Sequence, residues 1–202
     1  MYDDEFELTF DLSDEDEASR APEPEQEPVQ EAAPEPAAEA ETEPPVEAVP
    51  EPAVPAANGR CVLISGGDRG IGAAAARAFW QAGYRVAVLY HTHAEAAAAL
   101  EKALPGLLAV QCDVASRASC EVAFHTVEQA VGHVDVLVSN AGIAQQKLFT
   151  DITPEEWQHM LDVNLSGAFH LCQLVLPGMI RRKAGRILTV SSMWGQTGGS
   201  CE

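Results

Sequence analysis

The chain reads as α/β, a doubly wound parallel sheet, on three observations. From Cys61 onward, short apolar runs alternate with longer stretches of helical period. The runs are apolar at successive positions rather than at every second one, which suits strands covered on both faces by helices. A glycine-rich turn separates the first run from the first helical stretch, where such sheets bind their ligands.

Each element has its own signal. Cys61-Val62-Leu63-Ile64 is the first strand, and a helix is expected over 70–83 after the glycine turn. Arg85 to Tyr90 is the second strand, followed by an alanine-rich helix over 94–104. Leu107 to Cys112, a helix over 116–131 and Val134 to Val138 come next. One long helix is expected over 154–183, and Arg186 to Val190 closes the series as the fifth strand. The long helix has the clearest ends. Thr153-Pro154-Glu155-Glu156 supplies an N-cap, a proline at the first helical position and a glutamate placed for a capping box. Arg181-Arg182-Lys183 complements the dipole at the other end, and Gly185 is expected to stop the helix.

The 202 residues divide by composition. The formal charge is −19. Residues 1–58 carry 19 of the 31 acidic side chains against one basic residue, Arg20, and ten of the 13 prolines. Such a stretch buries too little apolar surface to offset its chain entropy, so a disordered acidic tail is expected there. Composition changes at Asn58-Gly59-Arg60, which places the folded part at 59–202, enough for a single core. Within the tail, Phe6-Glu7-Leu8-Thr9-Phe10-Asp11-Leu12 alternates with a period of two. That pattern suits addition to the sheet edge of an unknown protein partner, and it equally suits a solvated tip.

Basic residues are scattered in the folded part, so no nucleic-acid footprint is expected. No uninterrupted apolar run reaches the roughly 18 residues of a membrane span, and no membrane association is expected. The five cysteines form no ligand spacing and suit a reducing cytoplasm, as small hydrophobes. His91 and His93 stand without further ligands, so a loop or phosphate-contact role is expected and no metal.

The residues with chemistry fall at strand ends. Ser65-Gly66-Gly67-Asp68-Arg69-Gly70-Ile71-Gly72 lies between the first strand and the first helix. Its glycines allow a tight turn and close backbone approach to a pyrophosphate, whose charge meets the helix N-terminus. Asp113-Val114 closes the third strand, Ser139-Asn140-Ala141-Gly142 the fourth, and Ser191-Ser192 the fifth; Asn164 lies in the long helix. Tyr90 and His91 stand at the end of the second strand, where an NAD site has a carboxylate for the ribose hydroxyls. With Arg69 in the glycine loop, the local charge favours NADP(H) over NAD(H).

These five markers, in this order, resemble the short-chain dehydrogenase/reductase family, a Rossmann-type fold. Gly-x-x-x-Gly-x-Gly matches its glycine loop, and Ser139-Asn140-Ala141-Gly142 is similar to its Asn-Asn-Ala-Gly with serine at the first place. The resemblance covers residues 61–200. It implies cofactor contacts at Ser65, Gly66, Asp68, Arg69, Gly70, Ile71, Gly72, Tyr90, His91, Asp113, Val114, Asn140, Ala141 and Gly142. It also implies a catalytic Ser192 that polarises a carbonyl, and Asn164 in a proton relay. The core looks like 3-oxoacyl-(acyl-carrier-protein) reductases, and residues 191–202 resemble a subgroup known as elongation factor P 5-aminopentanone reductase. A small or carrier-linked carbonyl substrate and a homo-oligomer, tetramer or dimer, follow from the resemblance.

The family's Tyr-x-x-x-Lys, its proton donor and the lysine beside it, has no counterpart here. No tyrosine follows Tyr90, and Glu202 stands ten residues after Ser192. The expectation is an incomplete, five-strand sheet, the first two thirds of such a domain, inactive as it stands. The alternative is a nucleotide-binding regulatory module with an acidic interaction tail.

Overall fold

The computed structural model describes residues 56–198. The expected acidic tail, apart from its last three residues, lies outside them, as does the alternating segment 6–12. Everything described below lies within one compact unit.

Five parallel strands form one sheet in the order β3-β2-β1-β4-β5. They are β1 (Cys61–Ser65), β2 (Arg85–Tyr90), β3 (Leu108–Gln111), β4 (Val136–Ser139) and β5 (Arg186–Thr189). Between them run α1 (Gly70–Gln81), α2 (Ala94–Ala103) and α3 (Arg117–Val131), then α4 (Pro154–Leu161) and α5 (Gly167–Arg182). A single turn, α6 (Trp194–Thr197), follows β5. The order reverses between β1 and β4, whose register sets Val62 beside Val136 and Ile64 beside Val138. A crevice opens beyond the strand ends at such a reversal.

Strand alternation assigns the two faces. Leu63, Ala87, Leu89 and Leu137 face Ala123 and Val127 of α3 and Leu171, Val175 and Met179 of α5. Val62, Ile64, Val86, Val88 and Val138 face Ala76 and Trp80 of α1 and Leu100 of α2. All five β1 side chains are fully buried, as their apolar run predicts. Burying a Val or Leu contributes about 1.5–3 kcal/mol, so these two layers hold the sheet in register.

The expectation that every strand is buried on both faces fails at both ends of the sheet order: in β3 Leu108, Ala109 and Val110 are half-buried and Gln111 is exposed, and β5 is exposed throughout. Ile187 is 37% exposed and Leu188 48%. Among the described residues β5 has a neighbour on one side only, so apolar residues are left at an edge.

The long helix also differs from its expected form. Thr153 caps α4 as read: the Glu156 N–H donates to Thr153 Oγ1 at 3.2 Å, and the Thr153 N–H donates to Glu156 Oε2 at 2.8 Å. Lys147 Nζ reaches both oxygens of the same carboxylate, at 2.9 and 2.8 Å, which holds the Glu156 carboxyl below its ordinary range. One helix over 154–183 is nevertheless interrupted by a π-helical turn at Asp162–Ser166. The helix ends at Lys183 rather than at Gly185. Lys183 takes the left-handed conformation at φ 53°, and the Lys183 and Ala184 N–H groups return to the carbonyls of Ile180 and Met179. Gly185 serves packing instead, since a Cβ there would run into the Met179 side chain. By length and apolar content the helical run 154–182 is long enough to cross a membrane. Here Leu171, Val175 and Met179 bury its inner stripe against the sheet.

Candidate functional site

Gly66 and Gly70 give the loop after β1 its course, at φ 61° and 53°, values that L side chains rarely adopt. Close packing explains two further glycines. A Cβ on Gly67 would press on the Val88 side chain, and one on Gly72 would collide with the Gly66 carbonyl. The loop is also tied to β4. Ser65 Oγ accepts from the N–H groups of Asn140 and Ala141, both at 3.0 Å, and Asn140 Nδ2 donates to the carbonyls of Ser65 (3.0 Å) and Gly66 (2.9 Å). Residues 75 positions apart thus build one rigid cradle, and Asn140 spends its amide donor on the loop itself.

Arg69 is the N-cap of α1 and makes no side-chain cap bond, and the first turn holds no acidic residue. The leading N–H groups of α1 therefore face the crevice with no side-chain acceptor, where a pyrophosphate would meet them and the positive end of the helix dipole. A Cβ built on Gly70 meets open space. Cradle, open helix end and glycine approach together fit a dinucleotide.

A groove of about 510 Å³ runs from this loop along the strand ends. It is lined by Gly66, Asp68, Arg69, Gly70 and Ile71 of the glycine loop, by Tyr90, His91, Asp113 and Val114 at and after the ends of β2 and β3, and by Asn140, Ala141 and Gly142 after β4. Most of the residues read from the sequence as cofactor contacts therefore share one cavity. Ser65 and Gly72 do not line it; Ser65 holds Asn140 and Ala141, and Gly72 packs against the Gly66 carbonyl. The Asp113 carboxylate accepts from the Ala115 N–H at 3.0 Å, which fixes the turn out of β3. A larger groove of about 760 Å³ lies at the opposite end of the sheet, among Arg60, Asp135 and Arg186, away from every marker.

Asn164 sits in the π-helical turn and bonds Ile143 just beyond β4. Ser192 follows β5, and its Oγ accepts from the Trp194 N–H at 3.2 Å at the start of α6, a turn the sequence reading did not contain. Both are exposed, Asn164 bonded to the loop after β4 and Ser192 after the end of β5.

Sequence reasoning left out His159 and Val163 and gave His93 only a loop or phosphate-contact role, and all three line the groove. His93 bridges to the glycine loop, with Nε2 3.3 Å from Arg69 Nη1 and Nδ1 3.6 Å from Asp68 Oδ2. His91 contributes its carbonyl to Gln111 Nε2 at 3.0 Å. Cys112, also in the groove wall, has its Sγ 3.9 Å from that of Cys120, and this contact holds its thiol below the ordinary range. No group of three metal-ligating side chains stands together among the described residues.

A glycine loop pinned to the strand across the switch point, under an uncapped helix end, defines a dinucleotide-binding α/β protein. The family model of the short chain dehydrogenases matches residues 60–202. The chain belongs to that family, and membership implies a nicotinamide dinucleotide, NAD or NADP, in the groove.

Among curated relatives, an acetoacetyl-CoA reductase of Shinella zoogloeoides is 41% identical over 139 residues, 69% of this chain and 57% of the relative. An acetoacetyl-CoA reductase of Paracoccus denitrificans is 40% identical over 137 residues, 68% and 56% of the two chains. The 3-oxoacyl-[acyl-carrier-protein] reductase MabA of Mycobacterium avium is 39% identical over 144 residues, 70% and 53%. The chain spans just over half the length of the curated relatives it matches.

Proposed function

We propose that the chain carries the cofactor-binding part of an NADP(H)-dependent oxidoreductase that reduces a ketone, 3-oxoacyl or related, to an alcohol. One observation carries the cofactor choice: Arg69 lines the groove while Tyr90, not a carboxylate, ends β2. A guanidinium pairs with a 2′-phosphate, and no acid at Tyr90 repels it. The names of the relatives support a carbonyl on a CoA or acyl-carrier thioester.

When bound, the dinucleotide supplies the hydride. Ser192 donates a hydrogen bond from its hydroxyl to the substrate carbonyl oxygen, keeping its proton, and so favours the charge that develops there. Asn164, whose amide is taken up by Ile143, acts as a positioning residue that holds the β4 exit loop beside the reacting centre. The proton for the alkoxide comes from a tyrosine and lysine that follow Ser192 in the family and have no counterpart in residues 1–202. A homo-oligomer is supported by an apolar stripe, Phe169, Leu176 and Ile180, exposed along α5 at helical spacing.

The test compares two proteins: this chain, and the chain continued through a Tyr-x-x-x-Lys segment. Reduction of acetoacetyl-CoA is followed with NADPH and with NADH. The longer protein is expected to turn over with kcat/KM at least tenfold higher for NADPH, and Tyr90→Asp to move preference toward NADH. The chain of 202 residues is expected to bind nucleotide without turnover. Equal or better use of NADH overturns the cofactor choice, and no reduction of any 3-oxoacyl thioester overturns the substrate class.

A further inference from the structure

The carboxylate of Asp68 is 6% exposed, and its Oδ2 has no hydrogen-bond partner. A buried acceptor left unmatched is costly, so what it faces matters. It faces His93 Nδ1, 3.6 Å away, and the same nitrogen lies 3.2 Å from Thr92 Oγ1. The other ring nitrogen, Nε2, lies 3.3 Å from Arg69 Nη1.

These contacts decide the tautomer. A guanidinium has five donors and no acceptor, so Nε2 must present its lone pair to Arg69 and the ring proton must sit on Nδ1. There it points toward the hydroxyl and the carboxylate. The alternative tautomer would set an N–H against the Arg69 N–H and a lone pair against Asp68. The order is therefore carboxylate, imidazole, guanidinium, and it crosses from the glycine loop to the turn before α2. It clamps a long side chain that lines the groove, and among the described residues the other Arg69 donors have no partner.

We propose that His93, held in its Nδ1–H tautomer by Asp68 and Thr92, is the positioning residue that orients Arg69 toward the 2′-phosphate of an adenine dinucleotide. This rests on the NADP(H) reading above. It assigns to the buried Asp68 a role at second hand: it sets the imidazole, and the imidazole sets the cation. An unclamped arginine would still attract a phosphate, but it would lose side-chain freedom on binding that the clamp removes beforehand.

The test measures binding rather than turnover, by calorimetry on the full chain with 2′,5′-ADP and with ADP. The wild-type chain is expected to bind 2′,5′-ADP at least tenfold more tightly. Absence of that preference would refute the NADP(H) reading itself, independently of His93. Given the preference, His93→Phe is expected to reduce it by about five- to tenfold with ADP affinity held within about twofold, and His93→Gln, which keeps an acceptor for Arg69, to retain at least half of it. Asp68→Ala is expected to reduce the preference in the same direction by freeing the tautomer. A His93→Phe protein with the wild-type ratio overturns the proposal, as does an equal loss for both ligands. A gain in 2′,5′-ADP affinity in Asp68→Ala also overturns it, since Asp68 would then act by repelling the phosphate.

Discussion

Asn164 grips Ile143 by both ends of its amide, the Ile143 N–H donating to Oδ1 at 2.8 Å and Nδ2 donating to the Ile143 carbonyl at 2.9 Å. This reciprocal pair ties the π-helical turn to the loop leaving β4, and Gly142 leaves room for it, since a Cβ there would sit 3.1 Å from Oδ1. Each bond is worth about 1 kcal/mol net, so Asn164→Ala should lower the unfolding free energy by about 1–2 kcal/mol. Asn164→Asp should cost at least as much, because a carboxylate cannot donate to the Ile143 carbonyl and is set against it. Urea denaturation at neutral pH measures both, and an Asn164→Ala change below about 0.5 kcal/mol would show that the pair is slack.

Two glycines of the loop should separate folding from binding. Gly72→Ala drives a Cβ into the Gly66 carbonyl and against Asn140 Nδ2, so the cradle itself must move, at a cost of about 3 kcal/mol or more. Gly70→Ala meets no neighbour and bears only the strain of φ 53°, about 1–2 kcal/mol, but its methyl stands where a phosphate would approach. Denaturation should rank Gly72→Ala as the less stable, while 2′,5′-ADP binding by Gly70→Ala should fall by more than its stability loss explains. The reverse ranking would displace the clash as the cause.

Alkaline pH should weaken the fold through Cys61. Burial pushes its thiol up to about 11 from an ordinary 9.0. In the unfolded chain the thiol loses its proton near pH 9, whereas the folded chain keeps it until about 11. Its contribution is therefore complete below pH 9 and is lost as the pH rises from 9 to 11, at most about 2–3 kcal/mol. Cys61→Ala should flatten that limb of the stability curve, and an unchanged slope would assign the alkaline loss to other groups.

The start of the folded unit can be located by truncation. The Asn58 N–H donates to the Gly83 carbonyl and Asn58 Nδ2 to the Ala82 carbonyl, both at 2.9 Å. Removing residues 1–55 should leave 2′,5′-ADP affinity and the urea midpoint unchanged. Removing three more residues should lower stability by about 1–2 kcal/mol through loss of this clasp on the α1–β2 turn. A tenfold loss of affinity in the shorter deletion would place the acidic segment in the binding unit.

Local pattern was enough for much of the molecule. Successive apolar residues in Val86 to Leu89, helical period between strands, the Thr153 capping box and the glycines at 66, 70 and 72 are all read from neighbours in the chain, and each lies where the pattern put it. The order of strand-end markers was likewise legible, because a parallel sheet carries every such end to the same edge. What the tertiary structure decided depends on partners distant in sequence. Asn140 turning its amide back onto Ser65, Asn164 closing on Ile143 within a π turn, and Asp68 facing His93 all require two segments to meet. Propensity and spacing act over a few residues, while the direction of a polar side chain is set by whichever donor or acceptor the fold brings within about 3 Å of it.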